Sequence, residues 1–221
     1  MRPLTDTCPK PLLDVGGKPL IAWHLEALAA AGVREVVINT AWLEEQFPAA
    51  LGDGSRWGLT VRYSMEQRDH GGALETAGGI AKALPWLVQP SLDSFWVVSG
   101  DVLLPGFPFD AATAARFAQA DTLAHLWLVP NAPHHPEGDF GIDARSALAT
   151  TLPPRYTWAS VGLNRAPMFD GVAADRPLKL TPLLHAAAAS GRLGAQLWRG
   201  RWIDVGTVER LREAQAWAAP A

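Results

Sequence analysis

Three side chains are of the right type, and stand at the right kind of place, to handle phosphate and a hard cation: Asp101, Asp204 and Lys10. Asp101 closes the apolar run FWVVSGD, and Asp204 follows the short apolar segment in RWIDVGT. In open parallel sheets ligands collect outside the carboxyl ends of the strands. A carboxylate placed there, with glycine nearby to admit a ligand, suits a hard metal ion. Each aspartate alone reads equally well as a turn or helix-cap residue. What favours chemistry is the pair: two strand-end carboxylates far apart in sequence can converge on one Mg2+, which takes few protein oxygens and fills its remaining positions with substrate phosphates. Lys10 lies between Pro9 and Pro11, which restrict the backbone and present the ammonium group from a stiff segment. A lysine held so acts as a point charge on a developing phosphate oxygen.

Other groups carry weaker signals. Gly71-Gly72 and Gly78-Gly79 bracket Leu74-Glu75-Thr76, and glycines either admit a flat ligand such as a base or simply punctuate a loop. His134-His135 are adjacent in a proline-rich loop and read as surface residues, because no spaced cysteine or carboxylate completes a metal set. Lys18 reads as a helix-start residue and Cys8 as an inert small hydrophobe.

The elements that must position these groups follow from periodicity. Ile21, Leu25 and Leu28 recur at helical spacing over 18–31, with Gly32 as the stop. VREVVINT (33–40) is a β-branched strand, 41–51 a second helix, and 59–63 a strand after the Gly52-Asp53-Gly54 turn. A helix over 75–84 should end at Pro85, and Phe95–Ser99 reads as a strand buried on both faces. A helix at 109–119 and a strand at 122–129 follow. Helix and strand alternating at this spacing give an α/β fold, Rossmann-like, with a mostly parallel sheet flanked by helices. From Asn131 short strands near Phe140 and over 157–163, a helix at 181–189, strands near 195–198 and 201–203, and a closing helix at 208–217 suggest a smaller mixed lobe.

Bulk properties exclude several classes. With 48% apolar and 19% charged residues the chain can bury a proper core. A net charge of −3 argues against nucleic acid as a partner, and the longest apolar stretches fall short of the roughly 20 residues that span a bilayer. One cysteine cannot form an internal disulfide, which points to the cytoplasm.

RPLT, PKPL, GKPL, LETAGG, a strand ending in Gly-Asp, GDFG, LKLTPLL and WIDVGT occur together and in this order. That ordered set resembles the sugar-1-phosphate nucleotidylyltransferases over essentially the whole chain. INTAWLEEQF, LGDGSRWGLTVRYS, LETAGGI and HHPEGDF are most similar to the members that act on N-acetylmuramic acid 1-phosphate in peptidoglycan recycling. The resemblance implies the nucleotide-diphospho-sugar transferase fold as one domain over 1–221, with 1–130 binding nucleotide and 131–221 binding sugar. It implies UTP and a sugar 1-phosphate as substrates, Mg2+ as cofactor, and a monomer or small homo-oligomer. Asp101 and Asp204 would hold the metal and Lys10 would contact phosphate. Leu74, Glu75, Thr76, Gly78 and Gly79 would lie against uracil and ribose, while Gly141, Thr157, Val161 and Lys179 would face the sugar phosphate.

Two departures stand out. The family's first strand and its G-x-G-x-R loop, which cradles the triphosphate, have no counterpart here. Arg2 precedes Pro-Leu-Thr and is not the arginine that closes that loop. Our expectation is that Met1 is an internal methionine, that the natural protein starts about a dozen residues earlier, and that the chain as written has little or no activity. Ser160 stands where close relatives carry glycine, which leaves the exact sugar open. The alternatives are transfer to another sugar 1-phosphate, such as glucose or mannose 1-phosphate, or an impaired remnant that only binds ligand.

Overall fold

The computed structural model describes residues 1–89, 92–144 and 146–219. In chain order the first half runs α1 (Leu4–Thr7), α2 (Leu20–Ala30), β1 (Glu35–Thr40), α3 (Gln46–Leu51), β2 (Thr60–Met65), α4 (Glu66–His70), α5 (Glu75–Leu87), β3 (Ser94–Val98), β4 (Val102–Leu103) and α6 (Ala111–Gln119). Then come β5 (Ala124–Val129), β6 (Phe140–Ile142), β7 (Ala149–Thr150), β8 (Arg155–Arg165), α7 (Thr181–Ala189), β9 (Leu193–Leu197), β10 (Ile203–Asp204) and α8 (Val208–Ala218). The chain divides into two units made of interleaved segments, one of Met1–Ala73, Ser99–Asp110 and Gly200–Ala221, the other of Leu74–Val98 and Ala111–Arg199.

The first unit is built around α2. Ile21 and Leu25 on one side of this helix pack with Ile38, Phe47, Leu51, Leu59 and Val61. Leu20 joins a second cluster with Leu13, Val15, Leu103, Ile203, Val205, Leu211 and Ala214. Each such side chain contributes about 1.5–3 kcal/mol when fully buried, so the helix is held on two sides. Strands β1 and β2 pair in parallel, from Glu35 opposite Thr60 to Thr40 opposite Met65. Strands β4 and β10 form a short antiparallel ladder. Helix α8 begins at a true cap, the Thr207 hydroxyl accepting the Arg210 amide.

The second unit carries a six-stranded mixed sheet. Its longest strand, β8, is antiparallel to β3, β5 and β6, whereas β5 and β9 are parallel. Phe95, Leu126, Leu128, Phe140, Phe169, Leu184 and Leu193 form its core, with α5 contributing Ala77 and Ile80.

Three local expectations change. Helix α5 does not stop at Pro85 but continues to Leu87, because Leu84 and Leu87 pack on the core and the ring costs one amide donor close to the helix end. Residues 42–45 form turns, so the second helix is confined to α3. The reason is Glu44, whose buried carboxylate accepts the Gln67 and Arg68 amides at 3.0 and 2.8 Å and so serves the start of α4 instead. The strand expected over 157–163 spans the whole of β8 and is its unit's central strand, paired with three others.

Candidate active site

The first unit sets Lys10 against Asp101 and places Asp204 on the neighbouring strand. Asp204 sits opposite Val102 in the β4–β10 ladder, and the Val205 amide donates to the Asp101 carbonyl at 2.9 Å, which fixes the two aspartates one residue apart across adjacent strands. Asp101 is positioned by a close set of contacts. Its Oδ1 accepts the Ser99 hydroxyl at 2.7 Å, its Oδ2 faces Lys10 Nζ at 3.2 Å, and Gly100 lets Pro11 approach, since a Cβ there would lie 3.1 Å from the proline ring. Lys10 and Asp101 side chains remain 37% and 33% exposed, so their ion pair contributes at most about 1 kcal/mol and can be exchanged for other partners. Lys10 also lines a cleft of about 400 Å³ with Arg2, Asn39, Thr40 and Trp42.

Asp204 has its own cation. Arg210 Nη1 donates to Asp204 Oδ2 at 2.8 Å, reaching back over Gly206 from the first turn of α8.

Behind this cluster lies His24, buried on α2, with Nε2 at 2.8 Å from the Val102 carbonyl. That carbonyl points away from β10, so the imidazole N–H takes the place of a missing ladder partner. Burial pushes the His24 pKa down to about 4, with the Val102 hydrogen bond and the nearby Asp101 charge opposing only part of the effect. His24 is therefore neutral at physiological pH and serves as a fixed donor. Ser99, Arg210 and His24 escape sequence reasoning because nothing in their spacing separates them from an ordinary loop serine, helix arginine and core histidine. Only Thr207, just ahead of α8, carries a signal, that of a helix cap, and it says nothing of the Arg210 side chain.

The donor chemistry fits a hard divalent ion. Both candidate ligands are carboxylates, and no group of three or more His, Cys, Asp or Glu able to hold a metal occurs among the described residues. A two-carboxylate set is what Mg2+ uses when phosphates and water complete its shell. Cys8 is no rival centre: its thiol donates weakly to the Pro9 carbonyl at 3.5 Å, and burial pushes its pKa up, away from the reactive thiolate.

The second unit organises the other candidates by backbone. Leu74, Glu75, Thr76, Gly78 and Gly79 form the entry to α5, and this entry is pinned to the segment carrying Lys179. The Ala77 and Gly78 amides donate to the Leu178 carbonyl at 2.9 and 3.3 Å, and the Leu178 amide donates to the Leu74 carbonyl at 3.0 Å. A Cβ on Gly78 would come within 2.4 Å of the Arg176 carbonyl, so glycine is required for this approach. Glu75, with φ of +59°, is exposed, as are Thr76 and Lys179. Gly141 lies opposite Arg155, and the space its missing Cβ leaves is crossed by the Leu152 and Pro154 carbonyls, 2.3 and 2.9 Å from a Cβ built there. The Thr157 hydroxyl donates to Asn131 Oδ1 at 3.0 Å, and the Val161 side chain is wholly buried, its carbonyl accepting the Trp158 indole N–H. His135 pairs with Asp139 at 3.2 Å within its loop, and the other Asp139 oxygen accepts the Trp158 amide at 2.7 Å.

Known proteins share this pattern. The profile of the nucleotidyl transferase family matches residues 1–147. The chain is 50% identical to N-acetylmuramate α-1-phosphate uridylyltransferase of Neisseria meningitidis serogroup B, over 99% of this chain and 93% of the relative. It is 30% identical to the enzyme of the same name from Caulobacter vibrioides, over 100% and 93% of the two chains. Among solved structures, a Bacillus anthracis protein described as a glucose-1-phosphate thymidylyltransferase, crystallised with sucrose, superposes with a TM-score of 0.82. It is 20% identical, with 100% of this chain and 91% of that one covered, a likeness of fold. With the profile match and the full-length relatives together, the chain belongs to the nucleotidyl transferase family.

Proposed function

We propose that this chain transfers the uridylyl group of UTP to N-acetylmuramic acid 1-phosphate, releasing pyrophosphate, as a cytoplasmic step in peptidoglycan recycling. The observation that carries the reading is the 50% identity to the Neisseria enzyme along nearly the whole chain. The clustering of Lys10, Asp101 and Asp204 supplies its physical content.

A phosphate oxygen of the sugar 1-phosphate attacks the α-phosphorus of UTP, and the bond from that phosphorus to the oxygen bridging to the β-phosphate breaks. Such chemistry asks for positioning and charge neutralisation, with no covalent enzyme intermediate. Lys10 places a positive charge beside the phosphates. Asp101 and Asp204 would hold Mg2+, which when bound neutralises charge on the reacting and departing oxygens. Leu74, Glu75, Thr76, Gly78 and Gly79 act on the nucleoside, with Gly78 letting the entry to α5 close on the Arg176–Leu178 segment. Lys179, Gly141, Thr157 and Val161 form the sugar-phosphate side, where Lys179 supplies the charge and the buried three shape the surrounding sheet.

The test is pyrophosphate release by the protein purified from its own host, with UTP and each candidate sugar 1-phosphate in turn. Release that depends on N-acetylmuramic acid 1-phosphate is expected. Preference for glucose or mannose 1-phosphate would reassign the sugar, and no sugar-dependent release would overturn the reading.

A further inference from the structure

The Asp204 corner is built to hold a guanidinium. Thr207 caps α8 through the Arg210 amide at 3.2 Å, which fixes where the arginine side chain starts. Gly206 then leaves open the space that the side chain crosses, for a Cβ at that position would lie 2.4 Å from Arg210 Nη2 and 3.3 Å from Asp204 Oδ1. The guanidinium closes on Asp204 Oδ2 at 2.8 Å. Asp101 carries the matching arrangement, with Lys10 on its Oδ2. Two carboxylates meet two cations.

A guanidinium on Asp204 and a divalent cation at the same carboxylate repel each other. Removal of a unit positive charge so close to a metal position strengthens metal binding, whereas an incoming triphosphate offsets the same charge. We propose that Arg210 is a positioning residue that holds Asp204 and balances the charge of the carboxylate pair. The free protein therefore binds a divalent cation weakly and gains it together with the nucleotide. This rests on the reading of Asp101 and Asp204 as the metal pair.

The experiment is calorimetric titration of Mn2+ into the wild-type protein and the Arg210→Met, Arg210→Lys, Gly206→Ala and Asp204→Asn variants, each without and with UTP. Without UTP, Arg210→Met should bind Mn2+ about tenfold tighter or more, and Arg210→Lys, which keeps the charge, should stay near wild type. Gly206→Ala, which retains the arginine but pushes its guanidinium aside, should tighten binding in the same direction and serves if Arg210→Met fails to fold. A merely structural tie would lower the melting temperature and leave Mn2+ affinity alone. Unchanged or weaker Mn2+ binding in Arg210→Met and Gly206→Ala overturns the role of Arg210. If Asp204→Asn with UTP weakens Mn2+ binding while those two variants do not tighten it, only that role falls. If Asp204→Asn has no effect, the metal-pair reading falls and the Arg210 role with it.

Discussion

The two units prepare for ligand in opposite ways. In the first, the candidate residues are charges held by charges: Lys10 on Asp101, Arg210 on Asp204, with a serine hydroxyl and a neutral histidine behind them. In the second, the candidate positions are defined largely by what is missing. Gly78 and Gly141 admit carbonyls that a Cβ would strike, and the entry to α5 is tied by main-chain hydrogen bonds to the Leu178 backbone. Charges can be exchanged for a metal or a phosphate at small cost, because solvent-exposed ion pairs contribute little. Backbone clearances cannot be exchanged at all. The first unit is therefore suited to binding and releasing ions through a reaction cycle, and the second to keeping one shape throughout.

Substitutions can test this contrast. The largest effect belongs to the charged unit and to turnover: Asp101→Asn or Asp204→Asn should lower kcat/KM by about 10²–10³-fold while the urea midpoint hardly moves, as steady-state kinetics beside denaturation curves would show. A midpoint that collapsed in parallel would mean these carboxylates hold the fold.

His24 gives the next effect, and its sign follows from its low pKa. Between the unfolded value near 6.5 and the folded value of about 4, the unfolded chain binds a proton that the buried imidazole refuses. Stability contributed by this group is thus present above pH 6.5 and is lost as pH falls towards 4, by about 3 kcal/mol at the lower limit. Stability curves of wild type and His24→Gln across that range should differ in slope, the variant being flatter.

Gly141→Ala should act on the fold before the chemistry, costing about 1–3 kcal/mol as the new methyl group meets the Leu152 carbonyl, measurable as a lower midpoint. Were activity lost with stability intact, the glycine would be serving a ligand directly, and the contrast between units would blur. The smallest change is a gain. Ser160 adopts φ of +58° within β8, near the register shift against β5, a conformation that disfavours side chains. Ser160→Gly should raise stability by up to about 1 kcal/mol, read from the same denaturation curves.

Part of the first unit was legible because its candidates can be picked out by residue type. An aspartate where an apolar run ends is weak alone, and the contact of Lys10 with Asp101 comes only from the structure. The partners were not legible. His24 falls on the same helical stripe as core leucines, and Arg210 looks like any solvated arginine until Gly206 is seen to make room for it. In the second unit the helix at 181–189 was plain, yet the antiparallel partners of β8 were not. Strand pairing is decided by which faces can be buried together, and a run such as FWVVS fits either direction. Gly141 read as a ligand position, whereas its immediate neighbours are the carbonyls of its own chain.

The β4–β10 ladder has a consequence for the making of the protein. It joins Val102–Leu103 to Ile203–Asp204, with most of the second unit's sequence lying between. During synthesis Asp101 leaves the ribosome long before its partner, and the first unit waits with an open cluster around Leu20 and Leu103 until Ile203, Val205 and Leu211 arrive. A contact of such long sequence separation is slow to form and leaves apolar surface uncovered meanwhile. An unfinished chain thus holds one carboxylate and cannot set the second on the neighbouring strand until residue 204 has been added.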